Sequence, residues 1–204
     1  MKKYSCIGFL ARSHGIAVFE ALVRSEQYTL SAVFTHARNP KMYDAERKIR
    51  PDFEKFQEIA QKNEIPFYSV DTRKENAAME VYVKQNSFDL LVSVSWRRLV
   101  LPCVFERAAI GAVNVHRGDL PKYAGAEPIR RALEAKEEYV AVCAHAMTEK
   151  IDAGEVLARE VCQVKYDARL SLEENVELLK ENITPLFPAI VMNAFELLIK
   201  KKEK

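Results

Sequence analysis

The sequence has few of the features that mark a metalloprotein, a secreted domain or a membrane protein. Its four cysteines stand apart, with no CxxC pair and no metal-ligand spacing among them and the four histidines. Scattered cysteines are typical of small buried side chains in a reducing compartment. No segment is expected to reach the run of about 20 apolar residues that a membrane span requires. The apolar stretch near the N-terminus is too short for a signal sequence, because charge returns at Arg12. We therefore expect a cytoplasmic protein with no metal and no membrane partner.

Charge bias is also small. The 204 residues carry a formal net charge of +2, with 29% charged and 49% hydrophobic side chains. This composition is that of a globular chain, too weakly basic to argue for a nucleic-acid partner, and we expect none. We expect one domain over residues 1–204, with a helical segment at 171–200 packed on it.

The glycine pattern of a dinucleotide site is missing after the first predicted strand. Residues 12–15 read RSHG, with one glycine where a GxGxxG fingerprint would need three. A nicotinamide or flavin site of that kind is therefore not expected.

Apolar runs and helical spacings alternate along the chain. Runs at 4–11, 30–35, 66–70 and 89–96 predict buried strands, and helical spacing at 16–24, 53–60 and 78–85 predicts the helices between them. Segment 89–96 is the most strand-like and is expected at the centre of the sheet. The alternation predicts an α/β fold with an open, mainly parallel, twisted sheet and helices on both faces.

The second half of the chain continues this pattern. The spacing predicts a helix over 126–136, strands over 139–147 and 154–164, and helix from Ser171, with Glu174 at the capping-box position. Pro185 and Pro188 predict two helices or one kinked helix. The apolar stripe at 187–198 can pack on the sheet or on a second copy, which leaves a homodimer open. The polar loop at 37–51 is either a surface excursion or a lid beside the substrate.

The segment at 111–116 ends in two polar side chains. If it is a strand, Asn114 and His116 share one side of it, at the end where open α/β sheets bind ligands. Asp152 lies at the end of a later strand. An amide donor, a histidine and a carboxylate suit acyl transfer to an amine, which needs an oxyanion donor and a group that moves protons near neutral pH. The alternative is a histidine that is merely hydrogen-bonded in the core.

Two longer motifs favour the catalytic interpretation. The segments VNVHRGDLPKYAGAEPIRRAL and HAMTEKIDAGEVL resemble the formyltransferases that use 10-formyltetrahydrofolate. That family is marked by an N-x-H strand end, a loop with L-P-x-Y-x-G and a D-x-G turn. The positions in register are Asn114, His116, Leu120, Pro121, Tyr123, Gly125, Pro128, Asp152 and Gly154.

The resemblance implies a Rossmann-like formyltransferase with 10-formyltetrahydrofolate as co-substrate. It implies that His116 handles the proton of the amine, that Asn114 binds the formyl oxygen, and that Asp152 assists proton transfer to the departing folate nitrogen. The segments that match the folate-binding parts of the family contain Arg98, Leu99, Val100, Thr148, Lys150 and Ile151. For Leu99 and Val100, packing at a strand end is the alternative.

Departures from the family pattern bear on the acceptor, the molecule whose amine receives the formyl group. Glycinamide ribonucleotide formyltransferases carry a GxGSN loop and an EHxxYP stretch, where this chain has ARSHG and ITPLFP. Methionyl-tRNA formyltransferases add a C-terminal barrel, and this sequence ends at Lys204. By elimination we expect a nucleoside-diphosphate amino sugar as the acceptor, with glycinamide ribonucleotide and methionyl-tRNA as alternatives.

Several side chains are candidates to contact such an acceptor. Guanidinium groups suit diphosphates, which indicates Arg12, Arg38 and Arg117, although loop arginines are often simply solvated. Tyr123 is a further candidate from the loop after His116. A formyltetrahydrofolate hydrolase and a folate-binding protein without catalysis are the remaining alternatives.

Overall fold

The computed structural model of the chain describes residues 3–204. Within these residues the helices and strands are β1 (Tyr4–Leu10), α1 (Arg12–Arg24), β2 (Tyr28–Thr35), α2 (Phe53–Lys62), β3 (Phe67–Ser69), α3 (Arg73–Gln85), β4 (Phe88–Val94), α4 (Pro102–Phe105), β5 (Ala108–His116), α5 (Pro128–Glu134), β6 (Tyr139–Ala146), β7 (Val156–Gln163), α6 (Leu172–Ile183) and α7 (Leu186–Lys202). The strands form a mixed, mainly parallel sheet of seven in the order β3-β2-β1-β4-β5-β6-β7. The predicted α/β class and the central place of β4 are confirmed.

The chain divides into two compact units, Met1–Ala109 and Ile110–Lys204. In the first unit β1 pairs in parallel with both β2 and β4, and β2 pairs with β3. Most side chains of β1 and β4 are buried, which explains why both read as nearly continuous apolar runs. Phe9 and Phe34 pack edge to face in this core.

One prediction for the first unit needs correction, the connection expected at 12–15 before the helix at 16–24. Helix α1 begins at Arg12, directly after β1, so these residues are the first turn of the helix. The N–H of Gly15 already bonds the carbonyl of Ala11, 3.1 Å away.

The helix predicted at 78–85 is confirmed as part of α3, which buries Met79 and Val83 and leaves Val81 exposed. A capping box at Thr72 and Glu75 sets the start of α3, and this start fixes which face turns inward.

In the second unit β5, β6 and β7 form an antiparallel ladder. Helix α7 packs on β6 and β7, and Phe187, Ile190 and Phe195 are fully buried there. The apolar stripe at 187–198 therefore covers the sheet of its own chain. The predicted capping box at Ser171 and Glu174 is confirmed, and the chain forms two separate helices, α6 and α7.

One helical stretch within the described residues is long and apolar enough to cross a membrane by length and composition alone, contrary to expectation. It is Leu172–Lys202, which comprises α6 and α7, and 39% of its most apolar window is buried. One such stretch is weak evidence, since core helices of soluble proteins pass the same test.

The turn between β6 and β7 depends on a glycine. A Cβ atom added at Gly154 would lie 1.8 Å from the carbonyl oxygen of Ala146 and 2.8 Å from its carbon. Both are backbone atoms of β6, so a side chain can be admitted only if the strand moves. The same turn carries Asp152, whose backbone is left-handed, with φ of 51°.

We expect Gly154→Ala to lower the free energy of unfolding by roughly 2 kcal/mol or more, because the new methyl group collides with the β6 backbone. Denaturant unfolding measures this change. Ala153→Ser at the exposed neighbouring position is the control and should stay within about 0.5 kcal/mol of the parent chain. Equal stabilities for Gly154→Ala and the parent would contradict the close approach.

Candidate active site

Strand β5 presents two polar side chains at its C-terminal end. Asn114 and His116 are two residues apart, so they lie on the same side of the strand. Asn114 is paired in register with His145 of β6. Its amide nitrogen Nδ2 lies 3.1 Å from Nε2 of His145. The antiparallel ladder thus adds a second histidine to the predicted pair.

Asp152 lies between the two imidazole rings. Its Oδ2 is 3.3 Å from Nδ1 of His116, and its Oδ1 is 3.4 Å from Nε2 of His145. The backbone N–H of Gly125 donates a hydrogen bond of 2.9 Å to Oδ2. The structure therefore brings together the three residues that the sequence predicted, with His145 as a fourth member.

The outer nitrogen of each imidazole faces a backbone carbonyl. Nε2 of His116 is 2.7 Å from the carbonyl oxygen of Tyr123, and Nδ1 of His145 is 3.0 Å from that of Ala146. Because a carbonyl only accepts, each of these nitrogens carries a hydrogen. In His116, the nitrogen facing Asp152 is then the one that gains or loses a proton. The carboxylate is placed to stabilise a proton there.

The environment sets the protonation states at neutral pH. Burial lowers the pKa of His116, and the hydrogen bond to Tyr123 and the charge of Asp152 oppose only part of that effect. Burial alone would raise the pKa of Asp152, but hydrogen bonds from His145 and Gly125 and the charge of His116 bring that pKa below its ordinary value. A neutral His116 beside an ionised Asp152 can accept a proton at Nδ1.

His145 is the site residue that sequence reasoning missed. It is only 3% exposed and lies directly opposite Asn114. The signal was present, since His145 opens the segment HAMTEKIDAGEVL that ends the motif. Strand pairing is what assigns it to the site, and a single sequence does not show which residues of two strands face each other.

Comparison with known proteins identifies the family. The sequence profile of the family described as formyl transferase matches residues 9–186. The chain belongs to the formyl transferase family. The match covers both strands that carry the site residues and the turn with Asp152.

Individual members of the formyl transferase family agree with this assignment. The methionyl-tRNA formyltransferase of Campylobacter jejuni subsp. jejuni serotype O:6 is 30% identical over 205 residues, which is 100% of this chain and 64% of that protein. Phosphoribosylglycinamide formyltransferase from Anaplasma phagocytophilum has a TM-score of 0.68 at 16% identity, covering 93% of this chain and 86% of that one. A formyltetrahydrofolate deformylase from Pseudomonas syringae pv. tomato has a TM-score of 0.71 at 19% identity, covering 92% of this chain and 59% of that one. At these identities the two structures show a shared fold.

The chain spans about half the length of the curated relatives it matches, between 43% and 48% of three of them. These relatives carry the name methionyl-tRNA formyltransferase.

The predicted folate-binding residues of the first unit follow β4. Leu99 and Val100 lie outside the strand, which ends at Val94, and Leu99 is 61% exposed. Packing at a strand end therefore does not describe Leu99. Nη2 of Arg98 donates 2.8 Å to the backbone carbonyl of Asp71. The exposed backbone after β4 is compatible with contact to a ligand.

The matching residues of the second unit form the turn before Asp152. The hydroxyl of Thr148 donates 2.9 Å to the carbonyl of Lys150, which closes the turn. Ile151 is 66% exposed and Lys150 is also exposed. An apolar side chain held outward next to Asp152 suits contact with a flat aromatic ligand.

A basic cluster occupies the first unit around one acidic side chain. Asp71 accepts 2.5 Å from Arg97 at its carboxylate, and Arg47 lies 3.8 Å from the same oxygen. The backbone N–H of Arg38 also donates to this carboxylate, and its guanidinium bonds the carbonyl of Arg47. The guanidinium groups of Arg97 and Arg47 thus lie at the carboxylate, and that of Arg98 bonds the backbone carbonyl of Asp71. We call these five residues the Asp71 cluster.

The loop at 37–51 is ordered beside this cluster. A bridge between Arg38 and Ile49 closes it, together with hydrogen bonds from Asn39 to Lys48 and from Arg50 to Ala37. His36 at its base stacks on Trp96 with ring centroids 4.0 Å apart. Burial and the neighbouring Arg97 lower the pKa of His36 to about 3, so this histidine is neutral and structural.

The predicted acceptor-contacting residues are divided between the two units, two in each. Arg12 is exposed at the start of α1, Arg38 belongs to the Asp71 cluster, and Arg117 follows His116 directly. The hydroxyl of Tyr123 donates 2.6 Å to Glu137. Contact of these four residues with an acceptor stays a prediction.

Residues 3–204 contain no group of three or more His, Cys, Asp or Glu side chains arranged to hold a metal ion.

We expect Asp152→Asn to lower the pKa of His116, because the carboxylate that favours the protonated ring is replaced by a neutral amide. A pH titration of the histidine ring signals by NMR measures this change. Glu155→Gln, at an exposed carboxylate beyond the same turn, is the matched control and should leave the titration of His116 unchanged. A titration of His116 that does not move in Asp152→Asn would show that the two groups are not coupled.

Proposed function

We propose that the chain transfers a formyl group from 10-formyltetrahydrofolate to a primary amine at Asn114, His116 and Asp152. The observation that carries this proposal is the carboxylate of Asp152, which lies between two buried imidazole nitrogens beside the amide of Asn114. Membership of the formyl transferase family supports the reaction class.

The chain's own residues supply three functions. One N–H of the Asn114 amide bonds His145, and the other has no hydrogen-bond partner within residues 3–204, so it can donate to the formyl oxygen. The amine nitrogen attacks the formyl carbon, and charge develops on that oxygen. Nδ1 of His116 then accepts the proton that the amine loses. The bond between the formyl carbon and the folate nitrogen breaks, and that nitrogen takes a proton by way of Asp152.

His145 supports Asn114 in this scheme. Nε2 of His145 lies 3.1 Å from the amide nitrogen of Asn114 and 3.4 Å from Oδ1 of Asp152, while its Nδ1–H is committed to the carbonyl of Ala146. The contact between Nε2 and the amide orients the amide and leaves its second N–H directed elsewhere. His145 therefore acts through Asn114 rather than on the formyl group.

The donor is expected to use the two segments that the family motif indicates. Backbone groups at 98–100 are the candidates in the first unit and the turn at 148–151 is the candidate in the second unit. In each of them an apolar side chain, Leu99 or Ile151, is exposed and suits contact with a pterin.

For the acceptor, the comparisons favour the alternative over the expected amino sugar. The relatives described above by sequence are named methionyl-tRNA formyltransferases. We therefore propose methionyl-tRNA as the acceptor to test first, and glycinamide ribonucleotide and nucleoside-diphosphate amino sugars after it. All three are amines on phosphate-bearing molecules, and a cytoplasmic location agrees with each.

The first unit offers a surface that suits a polyphosphate acceptor. The loop at 37–51 has five basic and two acidic side chains, with Met42 and Tyr43 largely exposed among them. The Asp71 cluster shares Arg38 and Arg47 with this loop and adds Arg97 and Arg98, so its guanidinium groups outnumber its one carboxylate. Basic side chains beside an exposed aromatic ring are found on surfaces that hold single-stranded nucleic-acid ends.

We expect formylmethionyl-tRNA to form when the chain is mixed with 10-formyltetrahydrofolate and a panel of methionyl-tRNA, glycinamide ribonucleotide and amino-sugar nucleotides. Mass spectrometry identifies the formylated product. His116→Ala should reduce turnover by roughly 10²- to 10⁴-fold with the donor still bound, because the proton acceptor is lost. Formylation of only a sugar nucleotide would overturn the acceptor assignment, and formate release without any amine would identify a hydrolase.

We expect Lys41→Gln, at an exposed position of the loop at 37–51, to weaken binding of methionyl-tRNA and to reduce the salt dependence of its binding constant by about one logarithmic unit per decade of salt. Filter binding at several salt concentrations measures both quantities. Lys165→Gln, at an exposed lysine of the second unit, is the control. Identical salt slopes for the two variants would remove the loop from the acceptor surface.

A further inference from the structure

Three consecutive residues after His116 make backbone contacts that reach both members of the proposed proton-transfer pair. The carbonyl of Tyr123 accepts from Nε2 of His116 at 2.7 Å, and the N–H of Gly125 donates to Oδ2 of Asp152 at 2.9 Å. Between them, the carbonyl of Ala124 accepts from Nη2 of Arg131 at 2.6 Å. A displacement of this segment would change the surroundings of His116 and Asp152 together. We call residues 123–125 the clamp.

The clamp is anchored from outside the reacting group. The hydroxyl of Tyr123 donates 2.6 Å to Oε1 of Glu137, and the ammonium of Lys122 donates 2.6 Å to the same oxygen. Glu137 lies in the connection between α5 and β6, and Tyr123 is 9% exposed. The aromatic ring and its hydroxyl thus tie the loop to the base of β6.

We propose that Glu137 is a positioning residue for His116 and Asp152, which it orients through Tyr123 and the clamp. Neither Glu137 nor the hydroxyl of Tyr123 contacts the ring of His116, so their effect passes through the backbone. The expected effect on turnover rests on the proposed formyl transfer. The expected effect on the titration of His116 does not.

The packing of the loop leaves little freedom for other arrangements. A Cβ atom added at Gly118 would lie 2.6 Å from Cβ of Pro128, and 2.9 Å both from Nε2 of His116 and from the carbonyl oxygen of Tyr123. The chain therefore passes directly against the hydrogen bond that joins His116 to the clamp. Only glycine fits at this position without a shift of that bond.

The pKa shifts of Glu137 and Tyr123 agree with strong hydrogen bonds between the loop and Glu137. Hydrogen bonds from Lys122 and Tyr123 lower the pKa of Glu137, and the bond to Glu137 raises the pKa of the Tyr123 hydroxyl. An ionised carboxylate that accepts from a neutral phenol and an ammonium forms charge-assisted hydrogen bonds, which are the stronger kind. The guanidinium of Arg131 lies 5.7 Å from the centre of the Tyr123 ring and adds a cation–π contact.

This inference gives Tyr123 a different role from the one the sequence indicated. A phenol bonded to Glu137 holds the loop, whereas a phenol that contacts the acceptor would be free to turn toward it. The two roles predict different kinetics. Loss of a positioning group lowers kcat, while loss of an acceptor contact raises KM for the acceptor.

The decisive experiment is an NMR titration of His116 in Tyr123→Phe, which removes one hydroxyl and changes no charge. We expect the titration midpoint of His116 to move to lower pH, because a loosened bond from Nε2 to the Tyr123 carbonyl favours the protonated ring less. The other groups that act on this ring are Asp152, His145 and Arg117, and all three are retained. Tyr166→Phe, at an exposed tyrosine, is the matched control and should titrate like the parent.

Glu137 is tested by the same titration. Glu137→Ala should move His116 in the same direction as Tyr123→Phe, and the double variant should show no further shift, since both changes break one chain of contacts. Glu137→Gln, which can still accept from the phenol, should restore a good part of the parent behaviour. Thermal unfolding confirms that each variant is folded before its titration is compared.

With an active acceptor, kcat should fall about tenfold in Tyr123→Phe and Glu137→Ala, while KM stays within about twofold. An unchanged His116 titration in folded Tyr123→Phe, or a rise in KM alone, would overturn the proposal. Because the titration needs no substrate, a failed formyl transfer and a failed clamp give different results.

Discussion

The carboxylate of Asp152 is the group on which the rest of the site depends. Two imidazole nitrogens and one backbone N–H converge on it, from β5, from β6 and from the loop after β5. Each imidazole gives its other nitrogen to a carbonyl, so neither ring can turn without losing a hydrogen bond in a buried setting. The two carbonyls thereby set the tautomers of the histidines, and the carboxylate faces the remaining nitrogen of each ring.

The conformation of the backbone around Asp152 sets the position of its carboxylate. Asp152 has a left-handed conformation, which aspartate tolerates better than most residues, and Gly154 permits the close approach of the turn to β6. Steric contacts within the turn thus set its conformation. The carboxylate of Asp152 is contacted by groups that are distant in sequence. Sheet, loop and turn each contribute one contact, and none of them alone forms the site.

Period and motif predicted the strands and most of the helices, and they predicted Asn114, His116 and Asp152 as one group. The residues that they missed enter the site through contacts between segments that are distant in sequence. His145 enters the site because β6 lies opposite β5 in a particular register, and Glu137 reaches the loop only because Tyr123 turns back toward it. The start of α1 at Arg12 was missed because a polar segment with one glycine resembles a connection, although its first helical hydrogen bond forms directly after β1. The residues of the Asp71 cluster come from three separate segments, so spacing along the chain could not group them.

The register of β6 against β5 has a consequence for how this chain can vary. Side chains of a strand alternate between its two sides, so a slip of one residue would turn the buried side chains of β6 to the opposite face and place an alanine, either Ala144 or Ala146, opposite Asn114. Such a slip would disturb the packing of β6, and the asparagine would lose its imidazole neighbour. Insertions within the strand therefore conflict with both its packing and its chemistry, and natural length variation between α5 and β7 should concentrate in the connections at either end of β6.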